Sequence, residues 1–173
     1  MQRKLPAVLL VLLVINGCGK EEAEVPSLVA ALAGPVTAAD VADCPVVADN
    51  GKIAISDGLD ATVLDNGYGR VALLGDDVVV KAKLWVYDEQ AEGGKGAFVW
   101  ESGPAGFAFQ LGADGFIEGW SPGIACMLVG EKRELIIASE LAYGERGRAP
   151  IPPNADIIYD LELMKVAETE PGS

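Results

Sequence analysis

FAFQLGADGFIEGWSPGIACMLVGEKRELIIASELAYGERGRAPIPPNADIIYDLELMKV, residues 107–166, is the stretch from which the rest of the chain can be read. It gathers the apolar set Phe107, Phe109, Phe116, Ile117, Trp120, Tyr143, Ile151 and Tyr159 in a chain that is only 6% aromatic. Gly and Pro punctuate it at Gly112, Gly115, Gly119, Gly123, Gly130, Gly144, Gly147, Pro150, Pro152 and Pro153. Aromatic side chains held by tight turns make a rigid apolar pocket, which suits a small or peptidic ligand. Ile117, Trp120, Ile124 and Met127 fall at helical spacing and predict a short helix over Glu118–Leu128, with Pro122 in its first turn. Glu131–Ala138 and Asp156–Val166 read as strands. In the second, Ile157, Tyr159, Leu161 and Leu163 alternate with Ile158, Asp160, Glu162 and Met164.

Working outward, Asp77–Tyr87 is the clearest strand. Val78, Val80, Ala82, Leu84 and Val86 share one face, opposite Val79, Lys81, Lys83, Trp85 and Tyr87. Lys52–Ser56 and Leu59–Leu64 flank the hairpin signal Asp57-Gly58, and Ala97–Trp100 is a further short strand. The sum is an α+β domain of antiparallel strands and one helix, with order beginning near Gly51.

Composition removes whole classes of function. The formal net charge is −13 with no basic run, which excludes phosphate tracking along a nucleic acid. There is no histidine, so Ser-His-Asp and Cys-His catalysis and histidine metal sites are excluded. Gly119-Trp120-Ser121-Pro122-Gly123 matches G-x-S-x-G, but without a triad histidine it is a chance match in a glycine-rich chain. No phosphate-binding glycine loop is present. The acidic residues are scattered at turns and strand edges and read as solvated surface.

The other end of the chain reads as an address. Arg3 and Lys4 precede an apolar run, Leu5–Ile15, too short to span a bilayer. Residues 1–17 are therefore expected to be an export signal. The run ends in Ile15-Asn16-Gly17-Cys18, which resembles the lipobox of bacterial lipoproteins, and this implies lipid on Cys18. An ordinary secretory signal with a chance cysteine is the alternative. Residues 18–50, broken by Pro26, Gly34, Pro35 and Pro45, are expected to be a flexible tether, and residues 168–173 a polar tail. After Cys18 the only cysteines are Cys44 and Cys126, which in an oxidising compartment are expected to pair, two free thiols being the other possibility.

The ordered motifs then carry a resemblance. Asp57-Gly58-Leu59, Gly67-Tyr68-Gly69, Gly75-Asp76, Phe107–Gly112, Ile117-Glu118-Gly119-Trp120 and Gly130-Glu131-Lys132-Arg133 come in one order. Leu141-Ala142-Tyr143-Gly144, Ile151–Ala155 and Asp160–Leu163 continue it. Over about residues 57–166 the chain resembles the FKBP-type peptidyl-prolyl cis–trans isomerases. The resemblance implies a twisted antiparallel sheet wrapped around one short α-helix, spanning residues 51–167. It also implies a site with no metal or cofactor. Trp120 would be the floor, Tyr143 and the Ile117 amide would donate to substrate, and Phe107, Phe109, Phe116, Ile151 and Tyr159 would bind it. Glu101 stands where the family has a catalytic-site aspartate, and Ala82 where it usually has a tyrosine, which implies reduced activity. The partners implied are proline-containing exported polypeptides. The chain would act as a monomer held to a membrane by Cys18, on the periplasmic or cell-surface side. Gly19 after that cysteine favours an outer membrane. A non-catalytic module binding proline peptides, acting as a chaperone, is the alternative function.

Overall fold

The computed structural model describes residues 44–45, 47–48 and 50–167. The signal segment 1–17, Cys18, most of the tether and the tail 168–173 lie outside the described residues. Seven strands form one antiparallel sheet: β1 (Lys52–Ser56), β2 (Leu59–Asp65), β3 (Asp77–Tyr87), β4 (Lys95–Glu101), β5 (Phe107–Gln110), β6 (Lys132–Ile137) and β7 (Ile157–Val166). The order across it is β1-β2-β6-β7-β3-β4, with β5 following β4 along the same edge of β3. The predicted α+β class and the alternation of β3 hold: Val78, Val80, Ala82 and Leu84 are buried on one face. That face of β3 meets the core face of β7, where Leu84 lies opposite Tyr159 and Ala82 opposite Leu161. Strand β5 has no counterpart in the sequence reading. It is four residues long, and its alternation of Phe107 and Phe109 with exposed Ala108 and Gln110 is too brief to signal a strand by itself.

The helix α1 runs only from Trp120 to Ile124, shorter than the predicted Glu118–Leu128. Its end has a backbone cause. Residues 68–72 run alongside 126–129, and the chain leaves the helix to pair with them. The Cys126 N–H donates to the Ala72 carbonyl at 2.8 Å, the Ala72 N–H to the Met127 carbonyl at 2.8 Å, and Val71 bridges Leu128. To reach that register Ala125 becomes extended and Cys126 takes a positive φ of 65°. Cys126 therefore lies beyond the helix, where it is disulfide-bonded to Cys44 with 5.7 Å between Cα atoms.

The helix packs directly on β6. Gly119 and Gly123 are four apart and so share one helical face. A Cβ at Gly123 would overlap Leu135, and one at Gly119 would come within 2.6 Å of Ile137. The glycines that looked like a hydrolase motif are thus a packing surface, and Ser121 Oγ accepts a bond from the Gly112 N–H at 3.1 Å.

One buried cation joins the layers. Arg133 on β6 is 2% exposed and Glu131 is 5% exposed. Arg133 Nε donates to Glu131 Oε1 at 2.8 Å, and Nη2 lies 2.7 Å from the same oxygen. Arg133 Nη1 donates to the Gly123 carbonyl at 2.9 Å and approaches the Ala125 carbonyl at 3.4 Å. The other Glu131 oxygen accepts from the Leu128 N–H at 2.9 Å.

Removing one member of such a pair strands the other charge in the core. Arg133→Met is expected to lose about 3–5 kcal/mol in urea unfolding, because it leaves Glu131 uncompensated. Adding Glu131→Gln to that variant should recover part of the loss. Equal stability of the single variant and the parent would show that the pair does not hold the helix to the sheet.

Candidate functional site: an aromatic cavity over the helix

The sheet curls so that its core face, the N-terminal end of α1 and the loop 143–151 enclose a cavity of about 490 Å³. Trp120, the first residue of α1, is 3% exposed and takes part in its lining. Its indole N–H has no hydrogen-bond partner among the described residues, so packing alone holds the ring. Four rings do this. Phe107 and Phe116 stack on it at centroid distances of 5.9 Å each, Phe109 tilts at 5.8 Å, and Tyr159 meets it edge-on at 5.0 Å. Offset and edge-on pairs of this kind add to the area each ring buries. Strand β5 supplies Phe107 and Phe109 from one face, at positions opposite Val80 and Val78 of β3.

Most of the sequence-predicted residues meet here. Trp120, Ile117, Tyr143, Phe107, Phe116, Ile151 and Tyr159 all line the cavity. Phe109 does not reach it; it lies behind Phe107 and Phe116, at 5.4 and 4.7 Å, and buttresses them. Glu101 is not in the cavity either. It lies opposite Lys83 in the β3–β4 ladder, an exposed ion pair at 3.5 Å on the far side of the pleat, and it lines a separate hollow with Ala82. The register shifts just before it, between Trp100 and Phe98, so that Val99 and Trp100 both face the cavity. The position of β3 that lines the cavity is Leu84, opposite Tyr159, while Ala82 is buried deeper, opposite Leu161.

Sequence reading also missed Leu84, Val99, Trp100, Ala149, Pro150 and Arg148. The bulge that turns Val99 inward has no local signature. Arg148 carried no signal beyond its place in a loop of Gly and Pro.

The polar groups are few and sit at the rim. The Tyr159 phenol lies beside that of Tyr143. Burial, and then the neighbouring Tyr143 hydroxyl, push the Tyr159 phenol well above its ordinary range, with the charge of Arg148 acting the other way. Among the described residues no carboxylate lines the cavity. Such a site cannot move protons between acid and base side chains at neutral pH. It can exclude water, hold an apolar ring against Trp120 and donate hydrogen bonds from its edge.

Comparison with known proteins points the same way. Residues 69–164 match the family model described as FKBP-type peptidyl-prolyl cis-trans isomerase. The peptidyl-prolyl cis-trans isomerase FPR2 of Saccharomyces cerevisiae is 57% identical over 60 residues, which is 34% of this chain and 44% of the yeast protein. FK506-binding protein 1B of Neurospora crassa is 41% identical over 99 residues, 56% of this chain and 88% of that protein. The chain thus spans less than half of the yeast relative and most of the Neurospora one. Among solved structures, a peptidyl-prolyl cis-trans isomerase of Pseudomonas syringae pv. tomato is 28% identical with a TM-score of 0.57, covering 70% of this chain and 84% of that one. FkpA of Escherichia coli is 33% identical with a TM-score of 0.59, covering 70% and 54%.

The raised Tyr159 pKa has a consequence for stability. Unfolded, a tyrosine ionises near pH ~10, whereas the folded phenol stays protonated above that. Its contribution is complete below the unfolded value and is lost as pH climbs past it, at about 1.4 kcal/mol per pH unit. Urea unfolding between about pH 9 and 12 should show Tyr159→Phe falling less steeply than the parent by that slope. Parallel lines would mean that the Tyr159 hydroxyl is not buried.

Proposed function

Since the chain belongs to the FKBP-type peptidyl-prolyl cis–trans isomerase family, we propose that it accelerates rotation about X–Pro bonds in exported proteins, held to a membrane by lipid on Cys18. The observation that carries the catalytic part is the cavity itself: an aromatic floor and walls, hydroxyls only at the rim, and no charged group but one arginine. An amide rotates over a barrier of ~18–20 kcal/mol because the twisted state loses resonance. For X–Pro bonds this takes roughly tens to hundreds of seconds, slow enough to limit folding.

The planar amide is the more dipolar form. Transfer from water to an apolar cavity therefore costs the planar state more than the twisted one, and the barrier falls by the difference. The proline ring lies against Trp120, between the walls set by Phe107, Phe116 and Ile151. Tyr143, at the rim, donates to a substrate carbonyl and holds the chain on one side while the bond turns. Each ~1.36 kcal/mol of preference for the twisted form is a tenfold gain in rate. The step breaks no covalent bond and needs only the chain's own residues.

The expected result for the full chain is faster cis–trans exchange of a short proline peptide, read by NMR. Trp120→Ala should abolish it and, by opening a cavity, lower stability by about 3–5 kcal/mol. Tyr143→Phe keeps the ring and should slow exchange only about two- to tenfold, the worth of one neutral hydrogen bond. A folded parent that binds the peptide without speeding exchange would replace the enzyme with a binding module.

Export and anchoring rest on the apolar run that ends in Gly17-Cys18 and on the oxidised pair Cys44–Cys126, since disulfides persist outside the reducing cytosol. Cys18→Ser should leave the protein soluble or unprocessed on fractionation of the cells that express it. Processed Cys18→Ser protein found in membranes, as the parent is, would overturn the anchor.

A further inference from the structure

Among the described residues Arg148 is the one charged side chain lining the cavity, and it makes no ion pair with them. The ion pairs among those residues all lie elsewhere, and none of their carboxylates lines the cavity beside it. The guanidinium carbon sits 5.9 Å from the centre of the Tyr143 ring, the rim tyrosine.

Its backbone is fixed. The Arg148 N–H donates to the Ile151 carbonyl at 3.0 Å and the Ile151 N–H to the Arg148 carbonyl at 2.7 Å, so Arg148 is locked to a buried wall residue of the cavity. Gly147 before it has φ of 61°, and a Cβ there would come within 2.7 Å of the Ile151 carbonyl oxygen, so the turn closes only on glycine. The Asn154 N–H ties the following segment to the Gly144 carbonyl at 2.9 Å. A cation is held this way on the edge of an apolar cavity in a chain of net charge −13.

We propose that Arg148 selects substrates: it pairs with the carboxylate of an Asp or Glu immediately beside the proline whose ring occupies the Trp120 floor. The placement suits this, because Arg148 and Trp120 line the same cavity of about 490 Å³. The planar guanidinium accepts a carboxylate in bidentate fashion and can do so while it stays on the Tyr143 ring. The protein's overall negative field repels acidic peptides, so any preference for them must come from this local pair. The substrate class named here rests on the proline-peptide reading of the cavity, and peptide binding and peptide isomerisation test the two separately.

The probes are two pairs of short blocked peptides, with Glu or Gln placed immediately before the proline in one pair and immediately after it in the other. Binding to the full chain is read by Trp fluorescence or calorimetry at low salt, and cis–trans exchange by NMR. In at least one pair the Glu peptide should bind about two- to fivefold tighter, the range of an exposed ion pair. Added salt should bring the ratio toward one. Arg148→Gln should abolish the preference or invert it, as the net charge then acts alone, and Arg148→Glu should favour a Lys peptide over its Gln counterpart. No Glu preference in either pair, or one that survives Arg148→Gln in a folded protein, overturns the proposal. Glu-selective binding without faster exchange of any peptide would keep Arg148 as the selector and remove the isomerase reading.

Discussion

The Arg133 guanidinium is the contact on which the site depends. A helix of five residues does not persist by itself, since nucleation costs more than so few bonds return. Here its last carbonyls would also be left without partners under the sheet. Arg133 reaches from β6 to the Gly123 and Ala125 carbonyls, and Glu131 takes the guanidinium on one side and the Leu128 N–H on the other. A buried ion pair is costly to desolvate, and it is tolerable where every donor and acceptor is used. With the C-terminal end of α1 fixed in this way, and with glycine against Leu135 and Ile137, the N-terminal residue Trp120 has one place to go.

The two faces of the sheet divide the chemistry. Alternation at period two sends most apolar residues of β3, β6 and β7 toward α1 and puts ions on the other face, beside Trp85 and the buried Ile158. There Lys95 lies 2.7 Å from Asp160 and 3.2 Å from Glu134, with its ammonium 5.3 Å from the centre of the Trp85 ring. Burial would lower the Lys95 pKa, but hydrogen bonds to Asp160 and then Glu134 outweigh it, and the net shift is upward. Apart from the Arg133–Glu131 pair beneath α1, charge is thus kept off the face where the cavity forms. That separation allows a chain with 26 acidic residues to own a cavity lined by none.

Long elements with a clean period were legible in the sequence. β3 and β7 declare themselves by alternation, and the sequence motifs bring Trp120, Ile117 and Tyr143 to one site. What the local pattern did not show was set by register, by a distant partner or by a loop turn. Glu101 does not reach the cavity because a strand shows only alternate residues to one side and the bulge at Val99 puts Trp100 there instead. Phe109 shares the face of Phe107 but is covered by Phe107 and Phe116. The helix end was misread because its partner, residues 68–72, is distant in sequence and has no strand-like composition. Arg148 was missed because only the Gly147 turn and its two bonds to Ile151 bring it to the rim. Loop residues of this kind are placed by tertiary contacts that no local pattern encodes.

The Cys44–Cys126 bond alters how the domain meets a mechanical pull. β1 is the outermost strand of the sheet, paired only with β2, and a force applied to the chain ahead of it would peel it off one ladder bond after another. The bridge lies upstream of β1, so tension arriving from the N-terminal side leaves the backbone at Cys44 and enters at Cys126, beside the end of the helix. The edge strand is bypassed. Resistance then comes from covalent sulfur and from a segment already held by Val71 and Ala72, which must give way together rather than in sequence. Reduction of the bridge would return the load to β1, and a chain that withstood stretching when oxidised would begin to unzip from its first strand.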